Sequence, residues 1–488
     1  MISDSRWLTL GPFGMMVSTP SSRCRSIKAV VLCPGCELCG VWLFKMVPPG
    51  VQRHQALADP LYHCMHSPAP FQRKDTTMKS FRLINGRILT LAVSDEEPGP
   101  RRGARMKELG VIENGWVQVR DGLIESVGPD TAPDSDIQAI DVRGRVIMPG
   151  LVDCHTHACW AGSRYEEFQA QVQGATYLQI LESGGGIMST VRAVRDANPE
   201  QLRRRLETNL DQMSRLGATT VEVKSGYGLT TEAELKMLEV IRDVAEQTDM
   251  LVQPTFLGAH AIDQENPDFV EMIINETLPA VVDAFGPIPC DAYCETGAWS
   301  LADCRRLFEN AMDLGCPIRV HADQFNSLGM TRLAVEMGAV SVDHLEATTP
   351  SDLEHLARSS TIGVALPNSG FTLDDRYAPA RELVDADGAI AIASNCNPGS
   401  APTPSLPMAM ALGCRKLRLL PSEVITAATW NAACVLGLQD QVGSIEPGKR
   451  ADLAILQEED ERSLGCDFAT AGPLATVTGG VWRALGRA

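Results

Sequence analysis

Long apolar runs, basic charge, paired cysteines and histidine are all in short supply in this chain. No apolar run reaches the ~18 residues that a membrane-crossing helix needs, which excludes a helical span. Lysine and arginine number 43 against 61 acidic residues, a formal charge of −18. That surplus argues against nucleic acid or an anionic membrane as main partner and leaves a small molecule as the expected one. Beyond residue 78 there is no Cys-x-x-Cys, which excludes a thiolate-bound structural zinc. Cys154, Cys159, Cys294, Cys396 and Cys434 lie in apolar or loop positions without paired spacing, as expected of free thiols in a reducing cytoplasm. What the chain does have is length: 488 residues at 44% hydrophobic content allow a sizeable core and more than one domain.

The first 77 residues differ in character from the rest. They carry five of the fifteen cysteines, three of the nine histidines and eight basic against four acidic residues, with no sustained periodicity. "CPGCELC", Cys33 to Cys39, has no second cluster to complete a four-ligand metal site, and Pro34 breaks the apolar patch before it. The expectation is a disordered extension or an artefactual one, with Met78 as the native start.

From Phe81 onward short alternating runs rich in β-branched residues and separated by turns predict a small sheet: "FRLINGRILTL", "GWVQVRDGLIESVG", "QAIDVRGRVIMPG". The same flavour returns in "GSIEPGKRADLAILQ" and "ATVTGGVWRAL". Residues 78–148 and 438–488 are therefore expected to build one β-sandwich domain around a central insert. Within 149–437 eight strand-like runs end near His155/His157, Lys224, His260, Glu295, His321, His344, Asn368 and Asn395, with helix-like segments between most of them. "DCRRLFENAMDLG" is one such segment, with Cys304, Leu307, Phe308 and Ala311 on one face and Gly315 as its stop. Eight β-then-α units predict an α/β fold of the (β/α)8 TIM-barrel type, whose chemistry sits at the C-terminal ends of the strands.

His155 and His157 stand at i and i+2, so on a strand both imidazoles would leave one face, ~7 Å apart along the chain. An isolated His-x-His is weak evidence. The census strengthens it: after Met78 six histidines remain, and all but His355 terminate predicted barrel strands. Three neutral imidazoles and a water suit zinc, or alternatively iron, and such a centre makes water acidic enough to attack a carbonyl carbon near neutral pH.

At these residues the chain resembles the amidohydrolase superfamily and, within it, the imidazolonepropionase family. The resemblance runs from about Phe81 to the C-terminus. It is carried by "GLVDCHTHACWAGSR", "SGGGI", "EVKSGYGL", "PTFLGAHA", "CETGAW", "VHADQ", "VDHLE", "NCNPGSAPT" and "GSIEPGKRADLAI", of which "KSGYGL" and "FLGAHA" are the most specific. It implies one divalent metal per chain, zinc favoured over iron, held by His155, His157 and His321 with position 395 as fourth ligand. It also implies that Arg164 and Tyr227 hold the substrate, Arg164 through a fork suited to a propionate carboxylate. His260 would touch substrate, His344 would lie near the attacking water, Gln324 would contribute to binding or catalysis, and Asn397, Gly399 and Ser400 would form the loop that meets the substrate. The implied reaction is hydrolysis of the cyclic amide of imidazolone propionate in histidine breakdown, by a cytoplasmic homodimer.

Two positions depart from the family's pattern. The strand-eight residue is usually Asp and here is Asn395; the residue after "VHAD" is often Glu and here is Gln324. An amide oxygen is a weak neutral ligand and its nitrogen takes up no proton, so a histidine, His344 or His260, must serve as proton acceptor. Two other readings stand beside this one: an aromatic-base deaminase of the same superfamily, and a non-catalytic relative that has lost its site.

Overall fold

The computed structural model describes residues 79–485 other than 93–98, 135, 176–178, 180–183 and 469–471, together with three short strands nearer the start. Those strands, β1 (Trp7–Leu10), β2 (Met15–Ser18) and β3 (Ala29–Val30), pair antiparallel in the order β1-β2-β3. The rest of the first 77 residues, including the cysteine cluster and the expected extension, lies outside the described residues. The chain divides into two units, Met1–Asp75 and Thr76–Ala488.

Within the larger unit eight short strands follow the order of the chain: β9 (Leu151–Asp153), β10 (Ala218–Lys224), β11 (Leu251–Ala259), β12 (Cys290–Cys294), β13 (Arg319–Ala322), β14 (Ser341–His344), β15 (Ile362–Ala365) and β16 (Ile390–Ile392). Every neighbouring pair is parallel. Most of their residues are buried, as expected of strands covered on both faces, which is why they read as apolar runs rather than as strict alternation. Helices cover the outside. Leu301–Asp313 is capped by the Ser300 hydroxyl, buries Cys304, Leu307, Phe308 and Ala311, and is followed by Gly315 at φ +80°.

The seam that brings β16 round to β9 lies beyond the regular strands. Asn395 donates its N–H to the His155 carbonyl at 3.1 Å, and His157 donates to the Cys396 carbonyl at 2.9 Å. Below them Ser394 N–H reaches the Asp153 carboxylate at 2.9 Å. The ring is thus closed by the backbone of residues singled out as metal ligands.

The terminal segments build a second sheet in the order β19-β18-β17-β8-β4-β5-β6, with β7 also on β4. Its strands are β4 (Phe81–Leu89), β5 (Val111–Arg120), β6 (Leu123–Pro129), β7 (Ala139–Asp141), β8 (Val146–Pro149), β17 (Leu453–Leu456), β18 (Pro473–Thr478) and β19 (Val481–Ala484). The strands expected of a small sandwich therefore belong to one hydrogen-bonded sheet. An irregularity at Gly86 divides one edge of β4 between β7 and β8. Phe81, Val117, Ile147, Leu453 and Val477, from both ends of the chain, share its core. Leu89, Met148 and Ala454 face the barrel instead and pack into its main apolar core.

Candidate metal centre and active site

β9 is only three residues long, and the His-Thr-His triplet begins two residues past its end, after Cys154. What holds the triplet is β10. Thr156 N–H donates to Glu222 Oε2 at 3.0 Å, its hydroxyl donates to the Glu222 carbonyl at 2.6 Å, and its own carbonyl accepts from Lys224 N–H at 3.0 Å. With Thr156 pinned, the rings of His155 and His157 stand with centroids 5.3 Å apart. His321 completes the group from β13, 4.4 Å from His155 and 5.3 Å from His157.

The hydrogen bonds decide which ring atoms point inward. His155 donates from Nδ1 to Asp343 at 2.6 Å, and His321 donates from Nδ1 to Asp291 at 3.0 Å, which leaves both Nε2 atoms bare. His155 Nε2 is buried without a partner, and His321 Nε2 lies 3.3 Å from His157 Nε2. Two nitrogens each ~2.0–2.1 Å from one tetrahedral cation sit ~3.3–3.4 Å apart, so the His157–His321 pair fits a divalent metal of zinc-like geometry. Burial, with the neighbouring cations and imidazoles, lowers the pKa of His155, His157 and His321, and all three imidazoles are neutral at pH 7. Asn395 is 2% exposed, takes φ +54°, and keeps its Oδ1 buried without a hydrogen bond, as an oxygen reserved for a ligand would be.

Beneath the imidazoles lies a fully buried ion network. Lys224 Nζ bridges Glu222 at 2.5 Å and Asp291 at 2.8 Å; Arg319 bridges Glu222 at 3.0 Å and Asp343 at 2.7 Å. Burial alone would raise the Asp291 carboxyl, but His321 and Lys224 beside it, with Arg319, hold it well below the usual range. Sequence reasoning gave none of these five residues a role. Their signal was present: ionisable residues inside otherwise apolar strands, in "TTVEVK", "CDAYC", "IRVHA" and "SVDH".

His344, at the end of β14, brings its ring 5.5 Å from His321 and 6.1 Å from His155. It also offers a nitrogen within 4.8 Å of those of His155 and His321. His344 and Leu345 take φ of +89° and +75°, a strained pair that turns the chain so that Nδ1 meets Glu346 at 3.2 Å. His260 stacks on His157 at 4.9 Å and 19°, and its Nδ1 donates to the Gly226 carbonyl at 2.9 Å. Burial and the nearby His321 push its pKa down to about 3, so its Nε2 is a weakly basic acceptor.

Tyr227 lies 5.1 Å from His260 and 5.9 Å from His157, and burial pushes its phenol up, keeping it neutral. Arg164 is ion-paired to Glu167, packs close to Gly399, and keeps its Nε buried without a partner. Asn397 spends its amide on the loop: Oδ1 accepts from Gly399 and Ser400 N–H at 2.8 Å, and Nδ2 donates to the Asn395 carbonyl and the Ser400 hydroxyl. It shapes the loop rather than offering a free donor. Gln324 accepts at Oε1 from the Tyr293 hydroxyl at 2.8 Å. Asn368, expected at a strand end, lies in the helix Pro367–Leu373 and braces Ser394 and Ser405 through their carbonyls.

The chain matches the amidohydrolase family over residues 146–481. It is 45% identical over 393 residues to the imidazolonepropionase of Herpetosiphon aurantiacus, spanning 78% of this chain and 92% of that protein. It is 43% identical over 367 residues to that of Alkaliphilus metalliredigens, spanning 73% and 87%. Among solved structures, 5-methylcytosine deaminase from Klebsiella pneumoniae superposes with a TM-score of 0.63 at 17% identity, covering 84% of this chain and 99% of that one. A zinc-bound adenosine deaminase from Xanthomonas campestris superposes at 0.59 and 19%, covering 83% and 92%. At such identities it is the fold that is shared.

Proposed function

Because the chain belongs to the amidohydrolase family and, within it, to the imidazolonepropionases, we propose that it opens 4-imidazolone-5-propanoate with water to give N-formimidoyl-L-glutamate. The observation that carries this reading is the imidazole cluster at the barrel mouth: His155, His321 and His344 bring ring nitrogens within 4.8 Å of one another, and His157 Nε2 lies 3.3 Å from His321 Nε2. His155, His157 and His321 hold the metal, with the Asn395 amide oxygen as a weak fourth donor. Three neutral imidazoles favour zinc over iron, and zinc is also named for the adenosine deaminase of like fold. A divalent cation bound there supplies Lewis acidity toward both the ring carbonyl and water.

The remaining work falls to side chains. Arg164 pairs with the propionate carboxylate, its guanidinium already oriented by Glu167. Tyr227 and His260 flank the ring, Gln324 hydrogen-bonds to it, and the 397–400 loop closes beneath the tail. His344, held through Nδ1 toward Glu346, takes a proton from the attacking water and returns it to the departing ring nitrogen. A deaminase acting on an aromatic base would have no use for Arg164, since such a base carries no carboxylate.

Residues 149–437 are read as the barrel domain and 78–148 with 438–488 as the sheet domain. No described helix is long and apolar enough to cross a membrane. A homodimer in the cytoplasm is part of the same proposal, its dimeric state checked by sedimentation of the purified protein. The deciding experiment follows imidazolone absorbance with bound metal quantified in the same sample. Turnover at about one metal per chain is expected; metal without turnover would overturn the assignment.

A further inference from the structure

An amide has two chemically opposite ends, and a buried Gln324, 9% exposed, can help a substrate only if the correct end faces it. The backbone around it is clamped. Glu295 accepts from the N–H groups of Phe325 at 2.8 Å and Asn326 at 3.1 Å. Asp323, at φ +57°, is tied to Thr331 at 2.7 Å and Thr348 at 2.9 Å. Those clamps place the residue but leave its amide free to rotate. The side chain that restricts the amide is Tyr293, on β12 opposite His321 in the parallel register. Its ring stands 5.9 Å from His321 and 6.3 Å from His260, and its hydroxyl meets Gln324 Oε1 at 2.8 Å.

We propose that Tyr293 is a positioning residue for substrate recognition: by occupying Gln324 Oε1 it leaves the Nε2 hydrogens as the face offered to the ring. A phenol's oxygen lone pair is delocalised into its ring, so the hydroxyl donates more readily than it accepts, and donation selects the carbonyl end of the amide. The pocket wall between His260 and His321 then presents an N–H donor, and the ligand edge it fits is a hydrogen-bond acceptor, the carbonyl oxygen or imine nitrogen of a neutral planar heterocycle. Substrates that present a donor at that edge are selected against. The inference rests on the reaction proposed above.

A double-mutant cycle tests it. Tyr293→Phe keeps the ring and removes only the hydroxyl. It is expected to lower kcat/KM about three- to tenfold, the loss expected of one neutral hydrogen bond, with metal content and melting temperature unchanged. Gln324→Ala is expected to cost at least as much, and Tyr293→Phe in that background nothing further. Gln324→Asn, one methylene shorter, breaks the same contact from the other side and makes Tyr293→Phe equally silent. An active wild type in which Tyr293→Phe has no effect, lowers metal content, or costs the same factor in both backgrounds overturns the inference alone. A metal-loaded wild type that consumes no imidazolone removes the proposed function and this inference together.

Discussion

Single residues at this site do distinguishable work, and the distinctions can be measured. Both His157 and His344 lie close to His321: His157 places its Nε2 3.3 Å from His321 Nε2, and His344 offers a nitrogen within 4.8 Å of those of His155 and His321. His157→Ala is expected to drop bound metal well below one per chain. His344→Ala should keep the metal and lose about 10²–10⁴-fold in turnover, the range for removing general acid–base help. Elemental analysis and steady-state rates on the same preparations separate the two. At position 395 the question is whether the amide cripples the enzyme. With His344 as proton acceptor, Asn395→Asp should tighten metal binding, because it adds a charge beside the cation, while changing turnover by less than about tenfold. A gain of several hundredfold would show that no histidine takes the proton.

At the scale of elements, the turn after β10 illustrates how a short loop serves the centre. Glu234, from the helix Thr231–Ala245, accepts from the N–H groups of Gly226, Gly228 and Leu229 at 2.7–2.9 Å and so folds "KSGYGL" back toward the barrel mouth. Gly226 sits at φ +102°, and a Cβ there would lie 2.8 Å from the Leu257 carbonyl. That same Gly226 provides the carbonyl to which His260 donates. Gly226→Ala is therefore expected to cost about 1–3 kcal/mol in stability and to lower kcat together with it, through a displaced His260. Thermal melts and kinetics check this; a fully active variant of wild-type stability would show the turn to be more forgiving.

On the scale of the whole molecule, Asp452 joins the sheet to the barrel, accepting from Gly479 N–H at 2.6 Å and pairing with Arg450 at 2.9 Å, while its backbone carbonyl accepts from Gly150 N–H at 2.8 Å. Burial pushes its pKa up to about 6 against the opposing pull of Arg450 and Gly479. The folded state thus holds a proton that the unfolded chain releases near pH 4, so this residue's contribution to stability falls as pH rises from ~4 to ~6 and is constant above. Asp452→Asn carries no such titration. Its melting temperature relative to wild type is expected to climb over that window and then level; a flat difference would refute the shift. A chain beginning at Met78 is expected to fold, bind metal and turn over, since the sheet begins at Phe81 and every proposed site residue lies beyond it.

Local pattern was enough for the barrel, because burying eight short apolar strands on both faces leaves a mark in each segment independently. It was enough also for His155, His157, His321 and His344, since few histidines remain and each stands at a strand end. Asn395 could be placed at a strand end by pattern, and the family resemblance marked it as an amide where a carboxylate is usual. Pattern could not pair His155 with Asp343, 188 residues away, or join Lys224 and Arg319 through Glu222. A buried charge advertises itself locally, but its partner is whichever opposite charge ring closure brings beneath it. The closing bonds between residues 155–157 and 395–396 exist only once the eight strands have come full circle, so tertiary structure alone decided how these histidines are held and which ring nitrogens they present.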